Sequence, residues 1–280
     1  MTAQERAMIP TRIEIIPSDG IVEKVRASVP LSTPLTVTCL PHHGIARTVQ
    51  VARCLSEEGY RVMPHLAART VSSKSGLRQL VRDCQRSGIS DVLVIGGDAP
   101  EATGPYPSAI SLMRDIAEIS SGSLSQTIAG YPEGHPLVKP LQLLGALLEK
   151  QELAASLVTQ ICFSPTKVLD YVRILRHEGI TLPVYAGVPG LIERTRLIAL
   201  AGAIGVGPSI KLLTRQGPLA RRLLSGGHYS PETLIAGLGN AGLAGIHLHS
   251  MNNLDLTTPA DPENPGTTTQ QRRILEHELR

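Results

Sequence analysis

The sequence predicts a single (β/α)8 barrel, and three observations lead there. Short β-branched runs alternate with longer helical stretches along the 280 residues, the pattern of a parallel sheet with crossover helices. The runs are apolar at nearly every position, as strands buried on both faces require. Their number, eight, and the chain length both suit that barrel, which spans about 200–400 residues. A doubly wound open sheet is the competing architecture, but no GxGxxG follows the first run.

In chain order the predicted strands are 12–17 (RIEIIP), 34–40 (PLTVTCL), 61–66 (RVMPHL), 91–96 (DVLVIG), 126–131 (QTIAGY), 157–163 (LVTQICF), 182–187 (LPVYAG) and 244–250 (AGIHLHS). The helices between them are a weak one at 21–29, then 46–58, 74–87, 107–119, 137–155, 166–178, 190–203 and 231–241. Gly88, Gly179 and Gly242 follow helical patterns, where a left-handed C-cap is expected. An extra helical stretch, 209–225, falls in the seventh βα connection. Residues 254–280, rich in Thr, Pro, Asn and Gln before a charged end, read as a loop and terminal helix. Residues 1–280 thus form one domain, with no repeat beyond the barrel's own period.

Composition removes several function classes. With 42% hydrophobic and 18% charged residues, the chain has enough apolar content to fold. Its formal charge of +3 comes from scattered basic residues, which is no nucleic-acid footprint. There is no Trp, one Phe (Phe163) and six Tyr, too few aromatics for a base- or sugar-stacking platform. Cys39, Cys54, Cys84 and Cys162 form no CxxC and are expected to be buried thiols in a reducing compartment. The start lacks an apolar signal region and no run approaches a membrane span, so a cytoplasmic protein without a membrane partner is expected.

In such a barrel, functional groups sit at the C-terminal ends of strands. Glu14 lies among Ile13, Ile15 and Ile16, where burial should raise its pKa and suit it to acid or base work. A structural ion pair is the bland alternative. His42 and His43 follow the second strand and His65 ends the third. Asp98 follows the fourth behind Gly96 and Gly97, which allow close backbone approach to a ligand. Tyr131, Glu133 and His135 follow the fifth strand, Gln160 lies in the sixth, and His247, His249 and Asn252 belong to the eighth. No tight metal-ligand spacing, nucleophile elbow or phosphate loop is present, and no metal site is expected.

The hexapeptide Tyr131-Pro132-Glu133-Gly134-His135-Pro136 resembles the cofactor-binding segment of the methylenetetrahydrofolate reductase family. Thr159-Gln160 with Phe163 is similar to that family's Thr-Gln-x-x-Phe strand, and Pro64-His65-Leu66 to its third-strand motif. Gly97-Asp98 resembles its Gly-Asp, His247…Asn252 its His-x-x-x-x-Asn, and Glu14 its strand-one glutamate. The resemblance implies a (β/α)8 barrel that exchanges hydride between NAD(P)H and folate. It implies Glu14 as the catalytic acid and Asp98, Gln160, His247 and Asn252 as substrate-binding residues. His65, Gly97, Tyr131, Glu133, His135 and Lys150 would bind the dinucleotide, while Arg69 and Lys211 are candidates for the glutamate tail of folate.

The departures concern flavin. Members that hold FAD have an arginine before the Gly-Asp, where this chain has Gly96, and an aspartate and an arginine where Leu143 and Glu149 align. They also stack substrate on an aromatic, and 205–225 contains none. Charge-assisted contacts contribute about 1.5–3 kcal/mol each, so their loss disfavours FAD. The pattern resembles the short flavin-independent reductases described from mycobacteria. An FAD-dependent reductase of the family and a pterin-barrel methyltransferase or folate-binding protein are the alternatives. The expected partners are folate and nicotinamide dinucleotide, and a homo-oligomer is compatible with the reading.

Overall fold

The computed structural model describes residues 9–193, 228–229, 231–239 and 242–254. Eight parallel strands close into a barrel: β1 (Thr11–Ile15), β2 (Leu35–Val37), β3 (Val62–Ala67), β4 (Asp91–Ile95), β5 (Ser125–Gly130), β6 (Ser156–Thr159), β7 (Val184–Pro189) and, after a further strand pair, β10 (Gly245–His249). β1 pairs with both β2 and β10, which closes the ring. Between the strands run α1 (Ile21–Ser28), α2 (Gly44–Glu57), α3 (Lys74–Arg86), α4 (Ala109–Ser120), α5 (Pro140–Lys150), α6 (Pro165–His177) and α7 (Glu232–Leu238). The predicted (β/α)8 barrel is the observed fold.

Where the elements differ from the reading, a local cause is visible. The predicted helix at 190–203 does not begin at 190. Gly190 donates its N–H to His249 O (2.9 Å), so the chain stays extended alongside β10. Ile192–Glu193 (β8) then pairs antiparallel with His228–Tyr229 (β9). The rest of that stretch, the 209–225 segment with Lys211, and the tail beyond Leu254 lie outside the described residues. The helix expected at 137–155 starts at Pro140, whose ring fixes a helical φ at the first turn, and tightens into a 3-10 turn at Gln151–Leu153. Gly88, Gly179 and Gly242 have φ of 73°, 77° and 71°, the left-handed conformation expected of C-caps. All four cysteines are free, but Cys54 is exposed on α2, contrary to expectation, while the other three are buried.

Two layers of packing explain the sequence pattern. Ile13, Ile15, Leu35, Val37, Leu66, Val92, Val94, Ile128, Leu157, Val184, Val188, Ile246 and Leu248 point outward into the core shared with the helices. The alternate residues, paired across the register, point into the barrel: Arg12 and Glu14, Thr36, Met63 and His65, Leu93, Thr127, Ser156 and Val158, Tyr185 and Gly187, His247 and His249. Met63, Leu93 and Val158, with Ile95 and Tyr185, form a separate apolar cluster. That cluster seals the middle of the barrel between a polar mouth and a polar floor.

Candidate active site

The register places Glu14 opposite His249 and one step from His247, all three on the inner face near the C-terminal ends of their strands. Glu14 Oε2 lies 2.9 Å from His247 Nε2, and Oε1 lies 2.8 Å from His249 Nδ1. An ionised carboxylate only accepts, so both nitrogens donate, which fixes each tautomer. His65 from β3 brings its Nε2 to 3.7 Å of Oε2, beyond hydrogen-bond distance. Glu14, His65 and His247 are buried, His247 completely, and His249 is half-buried.

This geometry corrects one expectation. Burial does push the Glu14 carboxyl up, but the charge and hydrogen bonds of His249 and His247 outweigh it and hold the carboxyl well below the usual range. Glu14 is therefore an ionised group, not a neutral acid. Burial pushes His247 down to about 4, with Glu14 opposing, so its imidazole is neutral near pH 7. Burial likewise lowers His65 against the pull of Glu14.

The same atoms bear on metal binding. The ligand atoms of Glu14, His247 and His249 lie within 4.8 Å of one another, a spacing that would let a small cation bridge them. A cation there would replace the two protons that now link the pairs. The expectation of no metal thus meets a cluster with the spacing of a site, and the two imidazole donors currently serve the carboxylate.

Around the mouth the other candidates take distinct places. Asn252 follows β10 with φ 62°, after Met251 at 50°, two left-handed residues in succession that only a strongly determined turn sustains. Its amide donates to Ile16 O (2.9 Å) and Ser18 Oγ (3.0 Å) and accepts from Ile16 N (2.8 Å). Ser250 Oγ adds a bond to Glu14 O. Asn252 therefore ties the end of β1 to the end of β10, holding Glu14 against its histidines. Arg69 is similarly occupied: it donates to Ala99 O (2.9 Å) and Pro107 O (3.1 Å), clasping the long loop after β4.

Asp98 lies in that loop and raises the Tyr131 hydroxyl pKa, second to burial, so the two groups are neighbours. Gly97 has φ 88°, and a Cβ there would meet Ala67 Cβ at 3.2 Å; at Gly96 a Cβ would meet nothing within 4 Å. Tyr131 and His135 make an edge contact at 5.1 Å between ring centroids. The Tyr131 N–H donates to the Tyr171 hydroxyl from α6 (3.1 Å), and Cys162 Sγ donates to Glu133 (3.1 Å). Gln160 is held by its N–H to Gly130 O (2.7 Å). Lys150, at the end of α5, is half-buried, and burial lowers its pKa against the opposing pull of Glu149. Glu149 itself pairs with Arg114 on α4 (2.8 Å). The His42 and His43 rings lie 4.2 Å apart between centroids and tilted by 56° in the loop before α2, apart from the Glu14 cluster's contacts.

The sequence reading gave His249 and Tyr171 no role, although the first was legible. The alternation His247-Leu248-His249 in a strand puts both histidines on one face. Tyr171 lies on a helix forty residues from its partner, and no local pattern announces that contact.

Comparison with known proteins agrees with the motifs. The family profile described as Methylenetetrahydrofolate reductase matches residues 22–206, more than half of the chain. "5,10-methylenetetrahydrofolate reductase" of Pectobacterium carotovorum subsp. carotovorum is 24% identical over 220 residues, 75% of this chain and 72% of that protein. "Methylenetetrahydrofolate reductase (NADH) 1" of Arabidopsis thaliana is 26% identical over 188 residues, 59% of this chain, which spans about a third (32%) of the plant protein. Among solved structures, oxaloacetate acetylhydrolase with 3,3-difluorooxalacetate aligns over 98% of this chain and 81% of its own, with TM-score 0.50 and 10% identity, a likeness of fold alone. With the profile spanning β2 to β7 and the closing strands β1 and β10 supplying Glu14 and His247, the chain belongs to the methylenetetrahydrofolate reductase family.

Proposed function

We propose that this chain interconverts 5,10-methylenetetrahydrofolate and 5-methyltetrahydrofolate by direct hydride exchange with NAD(P)H, without flavin. The observation that carries the reading is the Glu14 carboxylate clasped by His247 and His249 at the mouth of a barrel of this family. Reduction consumes one proton and one hydride. The proton goes to N10 as the N10–CH2 bond breaks and N5 becomes an iminium; the hydride then reaches the exocyclic carbon to give the methyl group. NAD(P)H supplies the hydride and leaves as NAD(P)+.

An ionised Glu14 suits this sequence in two ways. Its negative charge, in a buried setting, stabilises the cationic iminium. Its contact with His249 gives the proton a path: an imidazolium there passes its Nδ1 proton to the carboxylate, which relays it to N10 and leaves a neutral imidazole behind. Neutral His247 fixes the other oxygen, so the carboxylate cannot rotate away. In this proposal Asp98 and Gln160 take the donor-rich edge of the pterin, and Asn252 acts by holding Glu14 in place. His65, Gly97, Tyr131, Glu133, His135 and Lys150 line the dinucleotide site, with Lys150 as the half-buried cation for a phosphate.

The flavin-free reading is supported by what stands at the flavin positions. Gly96 leaves open space where the flavin-dependent members have an arginine, and Glu149 is spent on Arg114. The test is an absorbance scan of purified protein followed by NADH oxidation with methylenetetrahydrofolate and no added flavin. Colourless protein that oxidises NADH is expected. Activity confined to flavin-loaded protein would overturn the flavin-free reading, and folate binding without any turnover would overturn the reductase itself.

A further inference from the structure

At the floor of the barrel, beyond the Met63–Leu93–Val158 seal from Glu14, lies a cavity of about 360 Å³. It falls within the size range of small-molecule sites, about 300–1,000 Å³. Its polar lining is Arg12, Thr36, Arg61, Ser125, Thr127 and Ser156, with Asp91 at one side. Arg61 is matched to Asp91 (3.2 Å), and Asp91 also accepts from Ser90 Oγ (2.7 Å), so that pair is internally satisfied. Thr127 and Ser156 share a bond of 2.8 Å, which leaves acceptor and donor capacity on the pair.

Arg12 is different. Its guanidinium lies over the Tyr185 ring at 3.3 Å and also bonds with that side chain, and it donates to Met63 Sδ at 3.8 Å, a weak acceptor. No carboxylate of the described residues stands at salt-bridge distance from it, Asp91 acting only from further off. A guanidinium carries five donors, and neither Tyr185 nor Met63 Sδ offers them a charged acceptor. The cation is half-buried, and burial lowers its pKa against the weaker help of Tyr185 and Asp91. Beside it the Thr36 hydroxyl is buried without any partner. A cation lacking its anion and a hydroxyl lacking its partner, both lining one cavity, are the two halves of an oxyanion site.

We propose that the barrel floor binds a small oxyanion, a phosphate or carboxylate group of a metabolite, through the Arg12 guanidinium and the Thr36 hydroxyl. Tyr185 braces the guanidinium from one face, leaving its edge for two parallel N–H···O bonds. Thr127, Ser156 and Ser125 suit the hydroxyl groups that small phosphorylated or carboxylated metabolites carry. Arg12 and Glu14 are alternate residues of β1, so the two sites share a strand without sharing a ligand.

Calorimetric titration of the full chain with inorganic phosphate, and separately with malonate, tests this at constant ionic strength. One phosphate or one malonate per chain is expected, and the better of the two names the class. Arg12→Gln should weaken binding at least tenfold, about the effect of losing one charge-assisted contact. Thr36→Val, which keeps shape and fold, should weaken it by a smaller factor. Saturating NADH occupies the mouth and should leave floor binding unchanged. Three results would overturn the proposal: no heat with either anion at 10 mM or so, binding indifferent to both substitutions, or binding abolished by NADH, which would place the anion at the mouth. None of these bears on reductase activity, so the proposals fail separately.

Discussion

Replacing Glu14 by Gln separates chemistry from architecture. The carboxylate accepts from His247 Nε2 and His249 Nδ1 at 2.9 and 2.8 Å. Glutamine keeps one acceptor and turns an NH2 toward the second imidazole. His247 can meet that NH2 by moving its proton to Nδ1, which has no partner to lose. Both hydrogen bonds to a charge thus become neutral ones, a cost of about 2–3 kcal/mol in all. Removing a buried charge offsets part of it. At about 2–4 °C per kcal/mol, the melting temperature should fall by no more than about 12 °C. Turnover should fall far more. The relay and the charge opposite the iminium are both lost, and general acid–base catalysis alone contributes about 10²–10⁴-fold, or about 3–5 kcal/mol of barrier. NADH oxidation measured beside folate binding and a thermal melt distinguishes the two effects. Turnover within about twofold of the parent, with binding intact, would make Glu14 structural and refute the relay.

Three further predictions follow from named contacts. His247 titrates near 6.5 when unfolded and about 4 when folded, so between those values the unfolded chain binds the extra proton and stability rises with pH. Unfolding free energy should be at its full value above about pH 6.5 and drop by about 3 kcal/mol toward pH 4, with depressed Glu14 adding a further loss below about 4.5; denaturant titrations of the parent and His247→Gln should show the slope flattened in the variant. Asn252→Ala removes three hydrogen bonds and puts alanine at a φ of 62°, so it should cost about 2–4 kcal/mol and lower turnover by releasing β1; an unchanged melt would contradict its clasping role. Gly187→Ala drives a Cβ to 2.3 Å from Thr159 O, a backbone atom that cannot swing aside, and should yield protein destabilised by about 3 kcal/mol or more, whereas an unperturbed melt would deny the close approach of β6 and β7.

The barrel was legible because its outward face is almost uniformly branched and aliphatic. Ile13, Val92, Ile128 and Leu157 mark their strands whatever lies between them. Inner positions were harder, since Arg12, Thr36, Thr127 and Ser156 are interior only by virtue of closure, which no local window contains. The site was legible where a motif is short and contiguous, as at 131–136 and around Gly97-Asp98. The electrostatics of Glu14 were not. Its isoleucine neighbours foretold a raised pKa, because burial is a local property, but the histidines that reverse it arrive from β10, more than two hundred residues away. The helix expected at 190–203 does not start at 190 for a related reason: the pull of β10 on Gly190 is a tertiary hydrogen bond.

Direct hydride transfer requires nicotinamide and folate to sit in the mouth together, with C4 about 3–3.5 Å from the one-carbon unit. A flavin carrier would instead release NAD+ before folate enters. Steady-state rates measured over a grid of NADH and methylenetetrahydrofolate concentrations, on protein whose visible spectrum has been recorded, decide between these. Intersecting double-reciprocal lines from colourless protein are predicted; parallel lines from protein carrying stoichiometric FAD would contradict the account.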